Sequence, residues 1–438
     1  MNGRAFSIGR ATRLLICAGM PALAIGSARA QVGESLLLPA VVPAGFDRGR
    51  NQSVTELPRR AFDPAGIRVR SFTLLPAIQS GVGVTSNTYY TADPIASAFL
   101  TTTPSAQLIS RWNRHQLMIS GTGTFRQYAG ESRRNETTWQ TDTRGRIDLG
   151  RFSSITLEEI SAQLNESQFS GETTPTVAAL SRYRRDFFSA RAVNQVGRTR
   201  LTLGTDYTMF RFQPLPFVSG QKVSQENRDR NVGRVTGQFE YARSPDLAFF
   251  VQAAYADQTF RVPISATVPN LDSTTYRVLG GINFDDPGFA RGSIGLGYTH
   301  QSFQAAVYQP VGGLSVEGRL ELFPSRLTTV LIGGRRTIEV TNLYTSGAYW
   351  DNRLTFRVDR EVWRSLLVNV NGQYSHQTFV RSGLVANSYL VGVGAQYLSS
   401  RRVVVDASLN YSNRSAISTI VGSGFDEIRS EIGLTFRI

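Results

Sequence analysis

From Phe72 onward the chain repeats one unit: a run of about ten to fifteen residues in which apolar and polar positions alternate, followed by a connection. The clearest run is Trp139 to Leu149. Trp139, Thr141, Thr143, Gly145, Ile147 and Leu149 share one face, and Gln140, Asp142, Arg144, Arg146 and Asp148 share the other. The same alternation places Tyr276, Val278, Gly280, Ile282 and Phe284 together, then Leu314, Val316, Gly318, Leu320 and Leu322, then Tyr389, Val391, Val393, Ala395 and Tyr397. A dry sandwich core would have to bury two arginines and two aspartates from the first run alone, at great cost, whereas a water-filled barrel interior accepts them.

The connections alternate in length as well. Short polar turns are expected near Arg111–Arg114, Arg151–Ser153, Gly197–Thr199, Ser244–Asp246, Asp285–Ala290, Pro324–Arg326, Arg360–Arg364 and Ser399–Arg402. Longer ones are expected near Ser86–Ile95, Ala129–Glu136, Ser170–Ser181, Gln213–Asn227, Arg261–Ser273, Gln304–Gly312, Thr341–Gly347, Val380–Ala386 and Asn413–Gly424. Eight short and nine long connections predict an all-β, antiparallel transmembrane barrel of 18 strands over residues 71–438, with 16 left open if one weak hairpin is misread. An even count places both ends of the barrel on the side of the short turns, expected to be the periplasm.

The final run, Glu431 to Ile438, alternates strictly: Ile432, Leu434, Phe436 and Ile438 oppose Glu431, Gly433, Thr435 and Arg437. A closed barrel needs its last strand to pair with its first. The order of Glu431, Gly433, Phe436 and Ile438 resembles the C-terminal β-signal read by the barrel assembly machinery of bacterial outer membranes. Three segments, Tyr255 to Phe260, Tyr298 to Phe303 and Tyr374 to Phe379, repeat the form Y-x-[DH]-Q-[ST]-F, each at the end of a strand that enters a long loop. Aromatic rings collect at membrane boundaries because an apolar body can sit in lipid while a polar tip stays wet. Tyr255, Tyr298 and Tyr374 are therefore expected to form an outer girdle, with Asp257, His300 and His376 beside it and Gln258, Gln301 and Gln377 facing the lumen.

The N-terminus changes the compartment. Arg4, Arg10 and Arg13 precede an apolar run from Leu14 to Ile25, and Ala28-Arg29-Ala30 offers a cleavage site, so residues 1–30 read as a secretory signal. Cys17, the single cysteine, lies within it, leaving the mature chain without disulfides. Cleavage removes four arginines and no acid, which takes the formal charge from +14 to +10, nearly all of it arginine. The charges are spread along alternating strands with no compact basic run, which argues against nucleic acid as a partner. No mature apolar stretch reaches the length of a transmembrane helix. Residues 31–70, broken by Pro39, Pro43, Pro58 and Pro64, read as a partly disordered periplasmic extension: a spacer, or a tether or plug.

Candidate chemistry lies on the polar face. Asp142, Arg144, Arg146, Asp148, Arg277, Glu317, Arg319, Glu321, Arg353 and Arg357 are expected to line the lumen. Two roles stand side by side: a ladder of cross-strand ion pairs, and a conduction path favouring anions. There is no G-x-S-x-G, no H-E-x-x-H and no cysteine–histidine set, so no catalytic residue, metal site or cofactor is expected. The opening Phe62-Asp63-Pro64-Ala65-Gly66-Ile67-Arg68-Val69, then Ser71-Phe72, Leu75-Pro76 and Gly81-Val82-Gly83-Val84 leading to Asn87, resembles the entry segment of a porin-like outer-membrane β-barrel family, the second of that kind. Its members are often encoded beside exopolysaccharide secretion genes in proteobacteria. The resemblance implies a barrel in the outer membrane of a Gram-negative bacterium, contacting lipid and lipopolysaccharide. It also implies a part in exopolysaccharide export with periplasmic export proteins as partners. A transport channel and a non-conducting structural or assembly barrel are both compatible with the pattern.

Overall fold

The computed structural model describes residues 50–169, 177–341, 346–416 and 422–438. The expected signal segment and residues 31–49 lie outside them.

Eighteen antiparallel strands form one closed sheet. In chain order they are β1 (Phe72–Thr85), β2 (Ser97–Ser110), β3 (Gln116–Tyr128), β4 (Glu136–Asp148), β5 (Ser153–Asn165) and β6 (Arg182–Val196). Then come β7 (Thr199–Phe212), β8 (Arg230–Ala242), β9 (Leu247–Phe260), β10 (Ser273–Asp286), β11 (Ala290–Phe303) and β12 (Val311–Ser325). The last six are β13 (Thr328–Val340), β14 (Ala348–Trp363), β15 (Leu366–Phe379), β16 (Val385–Leu398), β17 (Val403–Ala416) and β18 (Phe425–Arg437). Each strand pairs with its neighbours in sequence, and β18 returns to β1 in register from Ala77 opposite Arg437 to Thr85 opposite Arg429. Closure satisfies every strand edge, the condition for crossing lipid with strands. The expected count of 18 is met, and the described turns and loops fall where the sequence places them.

The two faces follow the alternation. Val251, Val278, Leu296, Leu314 and Ile432 stand exposed on the outside, while Gln238, Glu240, Gln252 and Thr435 are buried on the inside. Neighbouring strands keep that division because directly opposite residues share a face: Val251 lies opposite Gly280, and Gly280 opposite Leu296. A shift of one residue would turn the charged set into lipid. Two prolines sit in the sheet. Pro76 in β1 has no N–H to give, but its carbonyl accepts the Ile438 amide at 3.2 Å and so helps hold the closing seam. Pro104 lies in β2 where the β2–β3 ladder is interrupted between Thr102, opposite Phe125, and Ser105, opposite Thr122.

Candidate functional site in the barrel lumen

All ten residues expected to line the lumen lie on the inward face, and strand register decides which of them meet. Arg144 stands directly opposite Glu158 of β5 and is bonded to it, while Arg146 binds Asp148 two residues along its own strand at 2.9 Å. Arg277 reaches across β11 to Glu317 at 2.5 Å. Glu321 joins Arg319 and Arg291, each at 2.7 Å, and Arg357 binds Asp359 at 2.7 Å. Arg353 meets Asp351 at 2.8 Å, and Arg335 of β13, directly opposite Arg353, holds the same carboxylate at 3.0 Å. Ser375 Oγ donates to Asp351 at 2.6 Å. These guanidinium groups spend their charge on wall carboxylates, so the geometry is that of a self-neutralising ladder.

The tyrosines of the repeat stand on the outward face near the long-loop end. Tyr255 and Tyr298 are exposed; His300 lies against Tyr276 with ring centroids 5.1 Å apart and against Tyr298 at 6.5 Å. Tyr374 and Tyr389 pair at 4.9 Å, and His376 Nδ1 lies 2.7 Å from Asn387 Oδ1. Gln258, Gln301 and Gln377 are buried inside, as their parity requires. The closing phenylalanines of the repeat carry a further feature. Phe260 and Phe379 have the opposite parity to the tyrosines and turn inward, where Phe260 clusters with Leu271 and Tyr308 and Phe379 with Tyr349 and Ala386. The repeat therefore sets tyrosines on the outward face and phenylalanines that anchor loops inside. At the end of the last strand Phe436 faces outward and Ile438, one residue beyond it, is exposed, while Glu431 faces inward with Gly433.

Two features of the mouths carry no local signature. At the long-loop end, the chain leaving β5 reaches a wall six strands round the barrel, where Gln168 Nε2 donates to Ser412 Oγ of β17 at 3.0 Å. Phe169 stacks on Phe425 of β18 at 5.8 Å between centroids, and Phe425 packs on Tyr90 at 5.4 Å. This segment spans a chord of the opening.

At the short-turn end, residues 50–63 run along the rim from the β8–β9 turn to β18. Arg50 is bonded to Asp246; Asn51 Nδ2 donates to Asp285 Oδ1 at 2.7 Å and its Oδ1 accepts the Gly288 amide at 2.7 Å. The Val54 amide donates to Thr329 Oγ1 at 2.8 Å, Glu56 meets Arg291 at 3.1 Å, and Arg59 meets Glu361 at 2.7 Å. Arg401 and Arg437 then donate to the carbonyls of Arg60 and Phe62, each at 2.8 Å. Asn51 and Val54 are buried. Residues Ile67–Val69 finally fold back on the start of β1. One strap thus touches five successive short turns or their flanks and the last strand.

Glu56 makes part of this contact sensitive to acid. Burial alone would raise its pKa, but the Ser53 amide and Arg291 outweigh that and hold it below the ordinary 4.5. A depressed carboxylate contributes stability above its unfolded pKa and loses it as pH falls through the folded value. Hydrogen exchange of residues 53–59 is expected to speed up selectively below about pH 4.5, and Glu56→Gln should abolish that step while exchange in β8 to β13 stays unchanged.

Among the described residues no group of three or more histidine, cysteine, aspartate or glutamate side chains is placed to hold a metal ion. A family model described as "Putative beta-barrel porin 2" matches residues 60–438. No curated protein matches the chain. Among solved structures it is similar to OccK1 (OpdK) of Pseudomonas aeruginosa, with 10% identity, 83% of this chain and 99% of that chain covered, and a TM-score of 0.43. It is also similar to the siderophore receptor PirA of the same organism (9% identity, 86% and 81% covered, TM-score 0.42) and to a bacterial polysaccharide outer membrane secretin (9% identity, 83% and 98% covered, TM-score 0.35).

Proposed function

Because the chain belongs to this porin family of Gram-negative outer-membrane barrels, we propose that it is a passive conduit for exopolysaccharide or for small polar or anionic solutes. The observation that carries the reading is the closed barrel of 18 strands with an inward face of charged and amide side chains. A barrel of this strand number encloses an aqueous lumen unless loops or a plug fill it. The short turns and both ends of the barrel face the periplasm, the girdle tyrosines mark the outer leaflet, and lipopolysaccharide surrounds the long loops. The end of β18 and the residue after it, with Glu431 and Gly433 inside and Phe436 and Ile438 outside, present the assembly signal. Passage is driven by a gradient or by periplasmic export proteins.

The crossing segment at one mouth and the strap at the other favour a second reading, a closed structural or assembly barrel. Single-channel recording in a planar bilayer separates the two. Steady openings of the mature protein with a shifted reversal potential in a salt gradient support the conduit. Silence from a folded mature protein, and from a folded chain beginning at Ser71, overturns it.

A further inference from the structure

The ionic ladder covers only part of the wall. On β15 to β17, near the middle of the strands, amides and glycines interrupt it, bordered by Arg357 opposite Asn371, Arg429 opposite Asn410 and Asp406 opposite Gly433. Asn371 stands directly opposite Gly392, and Gly392 opposite Asn410; Asn369 stands opposite Gly394. Both neighbouring amides lean over Gly392: a Cβ built there would contact Asn410 Oδ1 and lie 3.0 Å from Asn371 Oδ1. A Cβ at Gly394 would lie 2.8 Å from Asn369 Nδ2, and one at Gly433 would lie 2.9 Å from Gln79 Nε2. Side chains larger than hydrogen at these glycines would push the amides away, so the glycines keep a shallow trough with amides along it.

Asn369, Asn371, Asn410 and Gln79 make no side-chain hydrogen bond among the described residues. That sets them apart from Arg353, Arg277 and Arg144, whose partners are on the wall. An unpaired carboxamide offers a carbonyl acceptor and two N–H donors in one plane. Hydroxyl groups are both donors and acceptors, so a chain of neighbouring hydroxyls matches a row of carboxamides without needing charge. Free anions find less here, because the flanking guanidinium groups of Arg357 and Arg429 are bonded to Asp359 and Glu427.

From this juxtaposition we propose that the trough formed by Asn369, Asn371, Gly392, Gly394 and Asn410 binds an uncharged, polyhydroxylated carbohydrate chain. The proposal rests on the conduit reading and narrows it from any polar solute to a neutral saccharide. Weak, repeated contacts suit passage, since a site that binds tightly would hold the chain instead of releasing it.

The test is current block by sugars of matched length in the full mature protein. Maltohexaose serves as the neutral probe and hexagalacturonate as the anionic one. Maltohexaose is expected to block, and Asn371→Leu with Asn410→Leu should weaken that block about tenfold, read in each protein as the fraction of its own open current that the sugar removes. Gly392→Val, which retains both asparagines but fills the trough and displaces their carboxamides, should weaken it comparably. Unchanged block in both variants overturns the proposal, as does block by hexagalacturonate alone, which would move recognition to the arginine ladder. If no current flows in the absence of sugar, the conduit reading has failed on its own. Calorimetric titration of maltohexaose into the detergent-solubilised protein then decides about the trough: heat lost in the Asn371→Leu, Asn410→Leu protein sustains it, and absence of heat in the parent overturns it.

Discussion

Starting the chain at Ser71 should raise single-channel conductance about two- to threefold, because removing the strap widens one mouth of the pathway. Residues 50–63 are held by polar contacts at separate points of the rim, from Asp246 through Asp285, Thr329 and Glu361 to Arg437. No large apolar surface fixes them, although Val54 is buried. The barrel itself closes through β1 and β18 without their help, so the shortened chain should still fold and resist heat in detergent. If the strap is a mere spacer along the rim, the two proteins will conduct alike. If only the shortened chain conducts, the strap is a plug. Arg59→Ala with Glu56→Ala should fall between the parent and the deletion, since each removes one of several attachments.

Replacing Asp351 by alanine should destabilise the barrel by about 3–5 kcal/mol, the largest effect expected of a single side chain. Its carboxylate is buried between Arg335 at 3.0 Å and Arg353 at 2.8 Å and accepts from Ser375 at 2.6 Å. Removing it leaves two guanidinium groups facing one another on adjacent strands, since Arg335 and Arg353 are directly opposite. Like charges at such a pair repel, and neither keeps the shared acceptor. Urea unfolding in detergent, followed by gel mobility of folded and unfolded forms, measures the loss. The double change Asp351→Ala with Arg353→Met should recover a substantial part of it, because one unpaired charge goes with the acid. Additive losses would mean that packing, not charge pairing, sets the role of Asp351.

The barrel was legible because its code is local. Period-two alternation tells each residue which face it occupies, and turn chemistry tells where each strand ends. Trp139 to Leu149 and Tyr276 to Phe284 read correctly from their own residues. The ten inward charges were found the same way, although their partners were not: that Arg277 meets Glu317 depends on the stagger between β10 and β12, which alternation leaves free. The Y-x-[DH]-Q-[ST]-F repeat held one more piece of information than its tyrosines, since parity alone turns Phe260 and Phe379 inward.

The sequence by itself narrowed the strand count to 18 or 16 and determined the alternation of faces along each strand and the placing of long and short connections, all properties of neighbouring residues; closure of the sheet fixed the count at 18. Only the tertiary structure decided that Asn51 reaches Asp285, that Phe169 crosses to Phe425, and that Asn371 and Asn410 share the space above Gly392. Those contacts join residues from separate strands and loops through hydrogen bonds, a ring pair or shared space over a glycine. Closure of the sheet brings them together, and no periodic pattern near either partner encodes them.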